Sequence, residues 1–194
     1  MWRTIGHDWA VQTLNRALQA GRAVRALLFT GPAQIGKTHL ALELAMALNC
    51  TGAEPPCQVC DSCVRALHGV HPDIKVVQPE GDRLKIDQIR ALQYELALSP
   101  MLGRWRVCLL TDFETATVEA ANAFLKTLEE PPARAAIILT ALDIGLLLPT
   151  VVSRCQVLPL RLAPREQIAR ALMARWQVDG EKAEMLAKLS AGRV

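Results

Sequence analysis

Residues 26–49 read ALLFTGPAQIGKTHLALELAMALN, which is a short apolar run, a loop bounded by glycines, and a long run of helix-forming residues. Ala26–Thr30 predicts a buried strand, and Lys37–Asn49 predicts a largely buried helix. The loop between them, Gly31–Thr38, matches the pattern G-x-x-x-x-G-K-[ST]. The match is informative because such a loop must follow a strand and open a helix, as this one does.

A loop of this kind is suited to hold the phosphates of a nucleotide. Its backbone N–H groups and the helix N-terminus point at the phosphates, and the helix dipole strengthens the attraction. Lys37 would neutralise charge on the β- and γ-phosphates, while the Thr38 hydroxyl would coordinate Mg²⁺. A chance glycine turn before a helix is the alternative. The residues predicted to contact ATP or ADP are Gly31, Pro32, Ala33, Gln34, Ile35, Gly36, Lys37, Thr38 and His39.

Apolar runs alternate with helical patterns around this loop. The alternation predicts an α/β fold with a parallel five-stranded sheet flanked by helices. Asp87 is expected to cap the helix near residue 86. The strands are predicted at 26–30, 73–78, 106–110, 136–140 and 155–159, and the helices at 8–20, 37–49, 85–98 and 118–129.

Only helices are predicted after Pro164, at 165–176 and 181–190. This change of pattern marks a boundary between two units. We expect residues 1–163 to form a nucleotide-binding core, and residues 164–194 to begin a second, helical unit.

The composition excludes several classes of protein. Of the 194 residues 51% are hydrophobic, and the net charge of +3 lacks the strong basic patch of a dedicated DNA-binding domain. No apolar run approaches the roughly 20 residues that span a bilayer. The first ten residues, MWRTIGHDWA, lack the features of a signal peptide. We therefore expect a cytoplasmic protein without a membrane partner, in which metal binding is favoured over disulfides.

Four of the six cysteines are closely spaced in an insert at residues 50–63. Their spacing is C-x6-C-x2-C-x2-C, and two C-x-x-C steps place thiolates on a tight turn. Four thiolates favour tetrahedral Zn²⁺ in a closed, structural site. An iron–sulfur cluster and a redox dithiol are the alternatives. The predicted ligands are Cys50, Cys57, Cys60 and Cys63.

Several segments resemble one family in order along nearly the whole chain. GPAQIGKT is followed by the cysteine insert, then by NAFLKTLEEPP at Asn122–Pro132 and LLPTVVSRCQ at Leu147–Gln156. The chain thereby resembles the AAA+ clamp-loader ATPases of bacterial DNA polymerase III. It is most similar to the delta-prime subunits, with gamma/tau second.

The resemblance implies a subunit of the polymerase III holoenzyme that helps load a sliding clamp onto primer-template DNA. Its partners would be the gamma/tau and delta subunits. The resemblance also implies that Arg154, in Ser-Arg-Cys, is an arginine finger that reaches the ATP site of the neighbouring subunit. Spacing alone favours a solvated arginine or a local ion pair at this position.

The acidic site that the family uses for hydrolysis is degenerate. Thr111 and Asp112 stand where an aspartate for Mg²⁺ and a glutamate for the attacking water are expected. Glu114 is near, but two residues further along it is expected to point elsewhere. Thr140 is an approximate substitute for a polar sensor residue, and Gln34 replaces a glycine that is common in the loop.

We therefore expect nucleotide binding with weak hydrolysis or none. The alternatives are an active ATPase like gamma/tau, or a free-standing zinc-containing nucleotide-binding regulator. The family generally continues through a complete helical lid into a collar domain. With a partial lid and no collar in these 194 residues, we expect a truncated chain that is a monomer or a weak dimer.

Overall fold

The apolar runs form one parallel sheet. The computed structural model describes residues 2–20 and 25–194. Neighbouring strands all pair in parallel, in the order β2-β3-β4-β1-β5. The five-stranded prediction is confirmed. The strands are β1 Ala26–Thr30, β2 Ile74–Val77, β3 Arg106–Leu110, β4 Ala135–Ala141 and β5 Gln156–Pro159.

Helices flank the sheet close to the predicted positions. Two helices were not predicted from the pattern, α3 in the cysteine insert and α6 before β5. Among the described residues, none of the helices is long and apolar enough to cross a membrane. The helices are α1 Asp8–Gln19, α2 Lys37–Asn49, α3 Asp61–Leu67, α4 Ile86–Ala97, α5 Val118–Glu129, α6 Pro149–Val152, α7 Arg165–Trp176 and α8 Gly180–Leu189.

The start of α4 corrects one prediction. Its N-cap is Lys85, and Asp87 already lies in the first turn. The Lys85 backbone N–H donates to Gln88 Oε1 at 3.0 Å. Asp87 can still interact favourably with the helix dipole, but it does not cap the helix.

The core lies on both faces of the sheet because successive strand residues point to opposite sides. Leu28 of β1 packs in one buried cluster with Phe124 of α5. Its neighbours Leu27 and Phe29 pack in the other cluster, with Leu44 of α2. Since both faces are covered, the inner strands β1, β3 and β4 are buried almost throughout. The edge strands β2 and β5 carry exposed residues as well.

The helices α7 and α8 pack mainly on each other around a small cluster of their own, which includes Ile168 and Ala183. Ile5 from the N-terminal segment packs against this cluster. Asp179 caps α8, and its carboxylate accepts a hydrogen bond from the Glu181 backbone N–H at 3.1 Å.

Candidate nucleotide and metal sites

The loop Gly31–Thr38 leaves the carboxyl end of β1 in the middle of the sheet. The Gly31 N–H donates to the Ala141 and Leu142 carbonyls, at 3.2 and 3.1 Å, which ties the loop to the end of β4. A Cβ at Gly31 would lie 2.4 Å from the Leu160 carbonyl oxygen, so only glycine fits there. The loop therefore has a fixed path at the edge where parallel sheets bind ligands.

Lys37 folds back onto this loop. Its ammonium donates to the Gly31 and Pro32 carbonyls at 2.7 and 2.8 Å, and the residue is only 7% exposed. Burial lowers the pKa of Lys37, and the charges of Glu114 and Asp112 partly offset that effect. The Lys37 side chain is thus held against the loop that the sequence predicts to bind phosphate.

The rest of the loop leads into α2. Gly36 is the left-handed N-cap of α2, and Thr38 and His39 are exposed in its first turn. Gln34 takes a left-handed conformation with φ of 60°, which a glycine would adopt at lower cost. Its carbonyl accepts a hydrogen bond from the Val194 N–H at 3.0 Å.

The acidic edge beside the loop differs in part from the sequence prediction. Thr111 is buried, and Asp112 is exposed with a left-handed φ of 51°. The Asp112 N–H donates to Thr140 Oγ1 at 3.2 Å, which joins the ends of β3 and β4. Glu114, which the sequence predicts to point elsewhere, bonds the backbone that follows β4. Its Oε1 accepts the Leu142 N–H at 3.2 Å, and its charge acts on Lys37.

Arg154 lies at the other end of the sheet. It precedes β5, whereas the phosphate loop follows β1, and Leu27 is in parallel register with Gln156. At about 3.3 Å per strand residue, the two sites are some 15 Å apart. The Arg154 guanidinium is bonded to Glu129 Oε2 at 2.9 Å and to the Thr150 carbonyl at 3.1 Å. The local ion pair that spacing favours is therefore present.

The four predicted ligand cysteines come together. Their sulfurs all lie within 4.8 Å of one another. Sulfurs at 2.3 Å from a tetrahedral Zn²⁺ would be about 3.8 Å apart, so the cluster fits this ion with a small contraction. Backbone N–H groups point at these sulfurs, for example Cys57 N–H at Cys50 Sγ (3.4 Å) and Cys60 N–H at Cys57 Sγ (3.3 Å).

Two of these thiols ionise more readily than a free cysteine. Burial acts to raise the pKa of Cys60, but N–H donors from Thr51 and Cys63 outweigh it and bring the pKa to about 6. The N–H groups of Val59 and Cys60 also lower the pKa of Cys57. Thiolates are the form that binds metal.

A cavity of about 930 Å³ adjoins the phosphate loop at the start of α2. Gly36 and His39 form part of its wall, and Arg175 and Trp176 at the end of α7 form another part. The backbone carbonyl of Arg3 accepts a hydrogen bond from the Arg175 guanidinium, which links α7 to the N-terminal segment.

A family model described as "DNA polymerase III, delta subunit" matches residues 6–164. The chain belongs to this family. Its similarity to clamp-loader subunits, delta-prime above all, is therefore confirmed.

Curated members and relatives support this assignment. The chain is 33% identical to the Bacillus subtilis delta-prime subunit, over 93% of this chain and 55% of that protein. It is 39% identical to the Pseudomonas aeruginosa delta-prime subunit, over 88% of this chain and 53% of that protein. It is 36% identical to the Mycobacterium bovis gamma/tau subunit, over 88% of this chain and 30% of that protein. The chain thus spans about half the length of its delta-prime relatives.

Solved structures agree on the fold. A gamma subunit-related protein of Thermotoga maritima has a TM-score of 0.65 and 26% identity, over 92% of this chain and 57% of that one. The RuvB Holliday junction branch migration motor of the same organism has a TM-score of 0.67 and 18% identity, over 97% of this chain and 58% of that one. At this identity the likeness shows the fold alone. Together they confirm the AAA+ architecture.

The contact made by Glu114 could not be predicted from the sequence. Glu114 bonds the Leu142 N–H beside the phosphate loop, after the left-handed Asp112 leads the chain into a short 3-10 helix, Phe113–Thr115. No pattern in the sequence signals this reversal, since aspartate in a left-handed turn is only one of several options.

Proposed function

We propose that this chain is a delta-prime-like clamp-loader subunit that binds ATP or ADP with Mg²⁺. In this role it works with gamma/tau and delta subunits to load a sliding clamp onto primed DNA in the reducing cytoplasm. Residues 1–163 are its AAA+ core, with the zinc insert at 50–63, and residues 164–194 begin its helical lid.

The observation that carries nucleotide binding is the buried ammonium of Lys37, held 2.7 and 2.8 Å from two carbonyls of the loop. Those carbonyls are weak partners for a cation compared with the β- and γ-phosphates. Exposed Thr38 supplies the hydroxyl for Mg²⁺.

Hydrolysis by the chain itself is weak because the acidic site lacks a normal ligand for Mg²⁺. Thr111 is buried, and it binds a hard cation far more weakly than a carboxylate does. Asp112 is one methylene shorter than the usual glutamate. Loss of one transition-state group costs a factor of about 10² to 10³ in rate.

Arg154 acts on a neighbouring subunit. It lies at the opposite end of the sheet from its own phosphate loop, so it cannot reach the nucleotide bound there. Its guanidinium is 31% exposed, and Glu129 and Thr150 orient it at the surface. An arginine in this position is available to a bound partner.

Zn²⁺ in the cysteine cluster stabilises the insert without taking part in chemistry, because four thiolates leave no open position. Metal analysis should give one zinc per chain. Visible absorption from an iron–sulfur cluster would contradict this assignment.

Calorimetry with MgADP and MgATP tests the nucleotide site. We expect binding by the wild type and at least a tenfold loss of affinity in Lys37→Met, because the phosphate charge is no longer neutralised. Lys85→Met is the matched control, since Lys85 is exposed and lies outside the loop. Equal affinities in the three proteins would overturn nucleotide binding at this loop. Turnover of about 1 s⁻¹ by the isolated chain would contradict weak hydrolysis.

The arginine finger requires a separate experiment. We expect Arg154→Ala to lower ATP turnover at the neighbouring site of an assembled complex by about 10²-fold or more. Arg165→Ala, which removes an exposed ion pair with Glu184 on the lid helices, should leave it unchanged. Unchanged turnover in Arg154→Ala would refute the role.

An active ATPase like gamma/tau is the second candidate, and Glu114 is the observation that favours it. This carboxylate bonds the Leu142 N–H at the edge of the loop and its charge acts on Lys37, so it is a candidate to replace the missing acidic group. Rapid turnover that is lost in Glu114→Gln would establish this candidate over the first.

A further inference from the structure

One wall of the cavity beside the phosphate loop comes from the cysteine insert. Cys57, Gln58 and Val59 line it on that side, and residues 2–5 and the end of α7 line it elsewhere. Cys57 is also one of the four clustered thiols. A metal-binding turn and the start of the phosphate-loop helix thus border the same space.

A buried carboxylate joins these walls. Glu43 lies on α2 and is 0% exposed. Its Oε1 accepts hydrogen bonds from Gln58 Nε2 at 3.1 Å and from the Arg3 N–H. Its Oε2 accepts them from the Thr4 N–H at 2.9 Å and from Thr4 Oγ1 at 2.6 Å. His39 Nε2 lies 3.8 Å from the same oxygen.

The hydrogen bonds to Glu43 are needed, because burying a carboxylate costs free energy unless its oxygens are hydrogen-bonded. The donors come from segments without regular secondary structure, at residues 3–4 and in the turn around Gln58. Gln58 itself has a left-handed φ of 62° between two of the ligand cysteines. A metal bound by Cys57 and Cys60 would fix that turn, and would thereby fix the side chain that bonds Glu43.

We propose that the cysteine insert, with metal bound, positions one wall of the nucleotide site. Gln58 holds Glu43, and Glu43 in turn sets the wall formed by residues 2–5, against which the nucleoside of a bound nucleotide lies. Metal and nucleotide affinities are then coupled, and linkage makes the coupling reciprocal. The inference rests on the nucleotide binding proposed above, but the contact between insert and wall can be tested without nucleotide.

The first experiment is hydrogen exchange without nucleotide, on zinc-loaded and zinc-free protein. Zinc is removed with a chelator under reductant before transfer to chelator-free buffer. We expect the Arg3 and Thr4 amides, both bonded to Glu43, to exchange about tenfold faster when zinc is removed. In Gln58→Ala the same two amides should no longer respond to zinc. A zinc response confined to residues 50–70 would overturn the proposal.

The second experiment measures MgADP affinity with zinc bound, so that folding of the insert is not in question. Gln58→Ala changes no thiol and should retain zinc, yet it should bind MgADP at least fivefold more weakly, which is the lower range of ordinary coupling. Saturating MgADP should tighten zinc binding in the wild type by the factor by which zinc tightens MgADP.

Arg65→Ala is the matched control. It breaks an exposed ion pair with Asp61 on the insert helix, 2.7 Å long, and Arg65 does not line the cavity. Its MgADP affinity should equal that of the wild type. Equal affinities in the wild type and Gln58→Ala would refute the coupling. If the wild type binds no MgADP, the proposed function fails, while hydrogen exchange still decides whether the insert controls the wall.

Discussion

Replacing Asp73 with alanine should destabilise the fold strongly, although the residue lies outside the proposed sites. Asp73 is just before β2, and its carboxylate is 0% exposed. It accepts three backbone hydrogen bonds, from Met101 at 2.6 Å, Leu102 at 2.8 Å and Gly103 at 2.7 Å. Arg106 Nη2 lies 3.6 Å from it. One carboxylate therefore fixes the loop that leads into β3.

The size of the effect follows from these contacts. A hydrogen bond to a charged group contributes about 1.5–3 kcal/mol. The N–H groups of the exposed Met101 and Leu102 can regain water in the variant, so the three bonds do not add in full. Loss of the partner of the mostly buried Arg106 adds to the cost. We expect Asp73→Ala to lower the free energy of unfolding by about 3–5 kcal/mol at pH 7.

Urea denaturation followed by circular dichroism measures this difference. Asp87→Ala is the control, because Asp87 is 87% exposed and lies 3.7 Å from Arg90. Loss of this ion pair and of the interaction with the helix dipole should cost no more than about 1 kcal/mol. A loss below about 1 kcal/mol in Asp73→Ala would refute the reasoning.

The pH dependence gives a second check. Burial acts to raise the pKa of Asp73, but the three N–H donors and Arg106 outweigh it, so the pKa lies below its usual value. The contribution of Asp73 is therefore full above the unfolded-state pKa of about 3.9. It is lost as the pH falls through the lower folded-state pKa. The wild type and Asp73→Ala should converge in stability at acidic pH, and a constant difference would contradict the assignment.

Three further predictions concern the loop, the core and the insert. Gly31→Ala should cost about 2 kcal/mol or more in urea denaturation, since its Cβ would lie 2.4 Å from the Leu160 carbonyl oxygen; a neutral result would show that the loop adapts freely. Phe124→Ala should cost about 3–5 kcal/mol, because this fully buried ring packs on Phe113 with centroids 6.2 Å apart; less than about 1 kcal/mol would contradict a close-packed core. Zinc removal should lower the melting temperature, and added zinc should restore it; an unchanged temperature would rule out a stabilising metal.

The elements with strong local patterns could be predicted from the sequence to within a residue or two. The run from Ala26 to Asn49 contains a strand, a loop and a helix. The residue types in each of them are compatible with few other local structures. The cysteines could be grouped for the same reason, because metal-ligand spacing is short-range. The helix at Asp61–Leu67 was not predicted, since seven residues between cysteines carry too little periodicity.

Two features of the candidate sites could not be predicted. Glu114 bonds the Leu142 N–H beside the loop after Asp112, in a left-handed conformation, has turned the chain. Glu43 reads as one polar residue in an apolar helix, and its donors come from residues 40 positions before it and 15 after it. Both depend on contacts between segments that local patterns do not connect.

By itself the sequence determined the phosphate loop, the parallel sheet, the grouping of four cysteines and the family, because each depends on residue type at fixed short spacing. Only the tertiary structure decided which groups face one another: Glu114 against the Leu142 N–H, Arg154 at the end of the sheet opposite its own loop, and Gln58 against Glu43. The physical reason is that charge interactions and hydrogen bonds act through space, and the packing of the sheet and the insert sets those distances.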